Sequence, residues 1–292
     1  MALLTVIPKQ PGFGAELGGV DLTRAPDPAT VAAIVAAMDR YAVCYFRPGR
    51  PLPDEAHIAL GKALGPMDST PVFTITGRKK GRISSELQDV ANIDENNRVM
   101  EEGSRVIMFR RGDRLWHSDM SFHPNRGVYS LLSAHEIPPV GGDTEFADMR
   151  AAYDALPAAM KARIEDLIAV HSIWYSRDAA GFPPPTEEEL ASRPPVRHRL
   201  VQVHPGSRRK TLYLASHASH IDGWPVDEGR ALLKELKEFA TQGRFVYRHS
   251  WRLGDIVIWD NRCTMHRGTP YEDTRYRRDM RRATTREMAA SA

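Results

Sequence analysis

Two short segments far apart in this chain must meet at one point in space. The first is Leu115-Trp116-His117-Ser118-Asp119, and the second is Trp259-Asp260-Asn261-Arg262-Cys263-Thr264-Met265-His266. They bring together two imidazoles, His117 and His266, and the carboxylate of Asp119, with Asp119 and His266 147 positions apart in the chain. Side chains alternate faces along a β-strand, so a strand through His117-Ser118-Asp119 points His117 and Asp119 the same way. His266 then completes a facial set of two histidines and one carboxylate. Such a set covers one face of an octahedral metal and leaves the opposite face open, which suits non-heme Fe(II) and O2 chemistry. Ligands that converge from so far apart suit a closed antiparallel β architecture. His117, Asp119 and His266 are therefore the expected catalytic and metal-binding residues.

The flanks support this. His117 follows an apolar-aromatic pair and precedes Met120 and Phe122, which reads as a strand entering a core. His266 follows Asp255-Ile256-Val257-Ile258-Trp259, a β-branched and aromatic run opened by Gly254. Beyond it lies an arginine-rich, strand-like stretch from Tyr276 to Thr285.

Four motifs carry a family resemblance: WHSDMSF, PPVGGDTEFADMRAAYDALP, GDIVIWDNRCTMHRG and RxxxRAT at Arg278 to Thr284. In this order they resemble the taurine dioxygenase/2,4-dichlorophenoxyacetate dioxygenase family, and the likeness runs from Gly14 onward. It is strongest to the phenoxyalkanoate-cleaving branch, in TEFADMRAAYDALP and in the ASHASH segment at 215–220. The resemblance implies a mainly β fold, a double-stranded β-helix (jelly roll) with helices outside. It also implies Fe(II), 2-oxoglutarate as co-substrate and O2. A 2-oxo acid chelates iron through its keto and C1 carboxylate oxygens, and its far carboxylate then needs a fixed cation. Arginine suits that role, because its planar fork meets a carboxylate with two charge-assisted bonds.

In the family's pattern the first arginine of RxxxRAT holds the 2-oxoglutarate tail and the second faces the substrate's acidic group. Here these are Arg278 and Arg282, which share a face in a strand. The family's arginines usually stand eleven and fifteen residues after the distal histidine, a count that lands on Arg277 and Arg281. A one-residue insertion in Thr269–Tyr276 reconciles the two, since loops absorb insertions and strand faces do not. Thr144 matches the family threonine on the same carboxylate, and Trp259 an aromatic lining the cofactor pocket; a turn threonine and a core tryptophan are the plainer readings. His217 and His220 read as near-substrate contacts or as satisfied structural histidines. The substrate implied is a small organic acid, above all an aryloxyalkanoate, whose hydroxylated ether carbon collapses to a phenol and a 2-oxo acid. The phenoxyacetate branch also carries a lysine that Ser69–Thr76 lacks, although Arg78, Lys79 and Lys80 follow. A sulfonate-oxidising enzyme of the same class, a zinc hydrolase on the same triad and a non-catalytic β-sandwich are the rivals.

Composition adds exclusions. Forty basic residues are matched by 37 acidic ones, so charge does not point to nucleic acid. No apolar run approaches the ~18 residues of a membrane span. Of the two cysteines, Cys44 reads as a small buried hydrophobe; Cys263, three residues before His266, invites a metal-thiolate reading that a hard-ligand iron site does not need, and such sparse cysteine fits a reducing cytoplasm. A single domain over residues 1–292 is expected, acting as a homo-oligomer, with lid segments near 67–114 and 176–195. Helices are expected after Asp27, from an Asp54 cap through Leu64, from Leu156-Pro157 through Ile168, and over 227–242. Asp260-Asn261 reads as a turn that orients His266.

Overall fold

The computed structural model describes residues 4–68 and 82–288. The strands of the larger sheet are β1 (Thr5–Gln10), β2 (Phe13–Gly18), β3 (Val43–Phe46), β4 (Gln88–Asp89), β5 (Gly127–Glu136), β13 (Ile256–Asp260) and β15 (Asp279–Arg286). They lie in the order β1-β2-β3-β13-β5-β15-β4. β2 and β3 run parallel, and the other pairs of this sheet are antiparallel. A second sheet sets β6 (Thr144–Asp148) between β12 (Val246–His249) and β14 (Thr264–Gly268). Two smaller sheets complete the set. One joins β7 (Ile168–His171) to β8 (Val196–Arg199) and β11 (Ala218–Ile221), and the other pairs β9 (Val201–Val203) with β10 (Lys210–Leu212).

The two-residue period of the strands explains the layering. Val43 and Tyr45, Leu132 and Ala134, and Val257 and Trp259 pack against Phe146 and Tyr247, so this core lies between the two larger sheets. The intervening residues Cys44, Phe46, Leu131, Ile256 and Ile258 point the other way. They meet Ile34 and Met38 of α1 (Pro28–Tyr41) and Leu60 and Leu64 of α2 (Asp54–Leu64). Strands buried on both faces read as continuous apolar runs, which is how Ile256-Val257-Ile258-Trp259 reads. The outer face of the second sheet, through Ala147 and Met265, packs on Leu232, Leu233 and Leu236 of the helix Val226–Ala240. The chain is thus mainly β, with helices on the outside.

Several expectations are corrected. His117 to Asp119 is not a strand: His117 forms one isolated bridge with His266, and the chain then turns. Met120 has φ +57°, a left-handed conformation that costs an L-residue about 1–2 kcal/mol and ends extended pairing. The helix at Pro157 covers only Ala158–Ile164, and Ile168 opens β7. A short apolar run does not itself distinguish helix from buried strand. Asp54 is the first helical residue rather than the cap; its carboxylate binds Arg281 at 2.5 Å. Asp27 does cap α1, accepting from the backbone N–H of Thr30. Both cysteines are free and buried, as expected for Cys44.

Asp260, at the end of β13, is fully buried. It accepts from Nε2 of His204 at 2.9 Å and from Nε and Nη2 of Arg262 at 2.9 and 2.6 Å. Burial pushes its carboxyl up, but Arg262 and His204 outweigh this and hold it below the usual range. Removing one partner of such a network strands the others, at about 3–5 kcal/mol. Asp260→Ala is therefore expected to lose about that much stability in urea unfolding. A loss under about 1 kcal/mol would contradict the network's structural role.

Candidate metal centre

His117 and His266 are tied together by the backbone. Each accepts from the other's N–H, at 3.0 and 2.8 Å, so the two imidazoles project side by side with ring centroids 4.2 Å apart. This bridge, not a strand, aligns them. Asp119 stands opposite: its Oδ1 lies 3.8 Å from Nε2 of His117, and its Oδ2 lies 3.8 Å from Nε2 of His266. One ligand atom from each residue lies within 4.8 Å of the other two, close enough to hold one ion. Nδ1 of His117 lies 2.7 Å from the carbonyl of Leu115, which as acceptor keeps the ring proton there and leaves Nε2 a lone pair for a metal.

Asp119 is oriented from several sides. Its backbone N–H donates to Oδ1 of Asn261 at 3.0 Å, and Oδ2 accepts from the hydroxyl of Ser130 at 2.7 Å. Nδ2 of Asn261 donates to the same serine at 2.9 Å. Oδ1 accepts from Nη1 of Arg282 at 2.7 Å. Burial raises the Asp119 carboxyl, but Arg282, His266, His117 and the Ser130 hydroxyl together hold it at about 2. Gly127 makes room for this turn, because a Cβ there would stand 2.9 Å from the carbonyl oxygen of Asp119. Asn261 therefore steadies Asp119 rather than His266. Ser130 and Gly127 escaped sequence reading, since a serine and a glycine at the start of a strand carry no distinctive spacing.

The face of β15 settles where the arginines point. Arg277 binds Glu136 at 2.9 Å and Asn97, while Arg281 binds Asp54. Arg282 turns to the opposite face, where Nε donates to Oε1 of Gln88 at 3.0 Å beside the Asp119 contact. Arg278 is half-buried, and its Nε is buried without a partner. The nearest acceptor given to its fork is the carbonyl of Gly142, at 3.4 Å from Nη2. Asn92 places it: Oδ1 of Asn92 accepts from the Arg278 N–H at 2.7 Å, while Nδ2 donates to the carbonyls of Asp273 and Tyr276.

A cavity of about 100 Å³ opens beside Arg278, lined among others by Asp113, Tyr271, Gly268 and Thr269. Gly268 and Thr269 lie two and three residues beyond His266, and the Thr269 hydroxyl is buried without a partner. Gly142, at φ +71°, keeps this wall open: a Cβ would meet Pro138 at 2.9 Å and Nε of Arg278 at 3.5 Å. Thr144 lies nearby, in register with Gly268, and its hydroxyl accepts from Nε1 of Trp251 at 3.1 Å. Trp259 is not among the cavity-lining residues; its indole packs 4.7 Å from the His266 ring and donates to Asn261. The segment 82–114 supplies much of the cavity wall, and Arg105 binds Glu189 of the segment 176–195. Arg78, Lys79 and Lys80 lie outside the described residues.

A second trio, His204, Asp260 and Cys263, also lies close together. Its acid and imidazole are already bonded to each other, and burial pushes the Cys263 thiol well up, away from thiolate.

A family model described as "Taurine catabolism dioxygenase TauD, TfdA family" matches residues 5–284. The chain belongs to this family. The 2,4-dichlorophenoxyacetate dioxygenase of Cupriavidus pinatubonensis, described as alpha-ketoglutarate-dependent, is 44% identical over 283 residues, 97% of each chain. The (S)-phenoxypropionate/alpha-ketoglutarate-dioxygenase of Sphingobium herbicidovorans is 34% identical, over 93% of this chain and 91% of its own. Among solved structures, AAD-2 in complex with Mn(II) and N-oxalylglycine superposes with a TM-score of 0.93, at 44% identity and 98% coverage of both chains. This TauD/TfdA dioxygenase thus keeps two histidines, a carboxylate and an arginine with an unpaired Nε on adjoining surfaces.

Groups that orient a ligand typically change metal affinity by about 10–100-fold when removed. Calorimetric titration with Mn(II) is expected to show Asn261→Ala weakened within that range and Asp119→Ala without saturable binding. Wild-type affinity in Asp119→Ala would falsify the metal centre.

Proposed function

We propose that the chain is an Fe(II)- and 2-oxoglutarate-dependent dioxygenase that oxidises a small organic acid, most of all an aryloxyalkanoate. His117, Asp119 and His266 hold the metal, and the residues fit it: two Nε2 atoms and a carboxylate face one point, and the charged state of Asp119 is secured by its neighbours. When bound, the metal with its 2-oxo acid supplies the oxygen activation. The protein's part is to orient, to exclude water and to place charge. The jelly roll is the fold proposed for the two larger sheets.

The observation that carries the reading is Arg278. A half-buried guanidinium with no ion pair and a buried, unpartnered Nε is costly, and arginine does not escape by losing its proton. Its free Nε and the cavity beside it fit the far carboxylate of 2-oxoglutarate, with the Thr144 hydroxyl as helper. A zinc hydrolase on the same triad has no use for such a site. Trp259 backs the pocket through its packing on His266. Arg282 keeps Asp119 in place and lends positive charge to the side from which the substrate's acid group approaches. The described stretch 82–114 and the segment 176–195 act as lids, joined by Arg105 and Glu189.

The products follow from hydroxylation at the ether carbon: a hemiacetal that collapses to a phenol and a 2-oxo acid. Support for this substrate comes from the two relatives that act on phenoxy acids. Among the described residues no helix is long and apolar enough to cross a membrane. A cytoplasmic homo-oligomer is part of the proposal, with the exposed edge of β1 at Val6 and Ile7 as the strand free to pair.

A coupled assay of succinate and phenol release tests the substrate. The proposal expects both in equal amounts from phenoxyacetate-type acids, and succinate without phenol from every such acid contradicts it. Arg278→Ala is expected to weaken 2-oxoglutarate binding by about 100-fold or more, as loss of a buried charged partner does. Arg277→Ala, on the other face, is expected to change it less than about threefold. The reverse result would place the cofactor on the wrong register.

A further inference from the structure

Arg282 has its donors engaged by Asp119 and Gln88, which leaves open what hydrogen-bonds the substrate's acid. A second buried arginine stands ready. Arg177 lies in the helix Ile173–Ala179 and is 6% exposed. Its Nε has no partner, and its one given acid contact is a long 3.4 Å from Nη2 to Oδ1 of Asp113. It is linked to the metal centre by packing: it lies on Phe109, whose cluster Phe122 joins, and Phe122 packs on His217 beside His117. Its guanidinium lies over the ring of Phe109, 4.1 Å from the centroid. Gly112 admits it there, because a Cβ at Gly112 would fall 1.8 Å from Nη1.

Two more donors without partners sit in the same region. His217 is 1% exposed, and its ring centroid is 6.0 Å from that of the ligand His117. Its Nδ1 lies 2.9 Å from the Ser121 hydroxyl, while its Nε2 has no partner. In the tautomer whose Nδ1 accepts from Ser121, the ring proton sits on Nε2, where no acceptor stands. The indole Nε1 of Trp174 is also buried and unpaired. Around them Phe109, Ile173, Trp174 and Phe182 form an apolar cluster, with Phe122 packed against it and 4.9 Å from His217. An unpaired buried donor calls for an explanation, and three around one aromatic cluster, one of them on a histidine beside His117, point to an anionic occupant.

We propose that the free Nε edge of Arg177, with Nε2 of His217, hydrogen-bonds the carboxylate of the substrate, and that the Phe109–Trp174–Phe182 cluster receives its aryl ring. The assignment rests on the aryloxyalkanoate reading and deepens it. Arg177 is then a specificity-determining residue: it selects an acid over a neutral ether of the same shape.

The test compares phenoxyacetate with its neutral N-methylamide, as a ratio of kcat/KM within one preparation, so that a partly folded sample does not distort the result. Arg177→Met is expected to cut the preference for the acid by about 100-fold or more, the loss expected when a buried charged pair is broken. Arg177→Lys keeps the charge without the planar fork and is expected to fall between. Anaerobic titration, followed by the visible absorption of the Fe(II)–2-oxoglutarate complex, reads the cofactor separately. Its affinity is expected to stay within about threefold in both variants. A preference unchanged in Arg177→Met, or 2-oxoglutarate affinity falling in step with it, overturns the assignment. If neither Arg177 variant folds, His217→Gln carries the test with an expected drop of about tenfold, and an unchanged ratio overturns it equally. A wild-type enzyme that releases no phenol from any aryloxyalkanoate instead sinks the parent reading.

Discussion

The antiparallel pairing of β15 with β5 is the constraint on which the site depends. It sets Arg282 opposite Leu132 and Arg281 opposite Ser133, so neighbouring arginines face opposite sides of the sheet. On the side of α2, Arg281 meets Asp54 and Ala283 joins the core under the helix. On the other side, Met280 joins the core between the sheets and Arg282 reaches Asp119. A slip of one residue would send Arg282 to Asp54 and strip Asp119 of its cation. Packing on both faces resists such a slip, because it would also expose Met280 and bury charge.

Around that register the site is organised as an economy of buried charge. Asp119 is satisfied by Arg282, Ser130 and Asn261 before any ligand arrives. Asp260 is likewise satisfied by Arg262 and His204. Arg278 and Arg177 are not: each keeps a buried, unpaired Nε. Saturated groups hold shape, and unsaturated ones leave work for ligands. The contrast separates the framework from the binding surfaces without reference to any relative. It also separates the two close metal-ligand trios, since only His117, Asp119 and His266 keep lone pairs turned to a common point.

Much of this was legible in the residues. The histidines and the carboxylate stood out by type and separation, and in β15 it is Arg282, before Ala-Thr, that reaches Asp119, while Arg281 binds Asp54. Helix α1 followed from the Asp27 cap and the spacing of Ile34 and Met38. The misses share one cause: a tertiary contact overrode a local pattern. His117 and Asp119 face each other because His117 bridges His266 and the chain reverses at Met120, not because a strand alternates there. Asp54 looked like a cap, but Arg281 claims its carboxylate. Ile168 continued a helical pattern, yet pairing with Arg199 makes it strand. Arg177 gave no signal at all, because its meaning lies in what fails to bond with it, and absence of a partner is visible only in three dimensions.

The central claim is that one metal sits between His117, Asp119 and His266, with 2-oxoglutarate reaching from it to Arg278. Anomalous diffraction at the iron edge, from crystals grown anaerobically with Fe(II) and 2-oxoglutarate, addresses it directly. The expected result is a single iron peak within bonding distance of Nε2 of both histidines and an Asp119 oxygen, and a far carboxylate on Nε and an Nη of Arg278. An iron peak at His204, Asp260 and Cys263, or a carboxylate held by Arg277, would contradict the account.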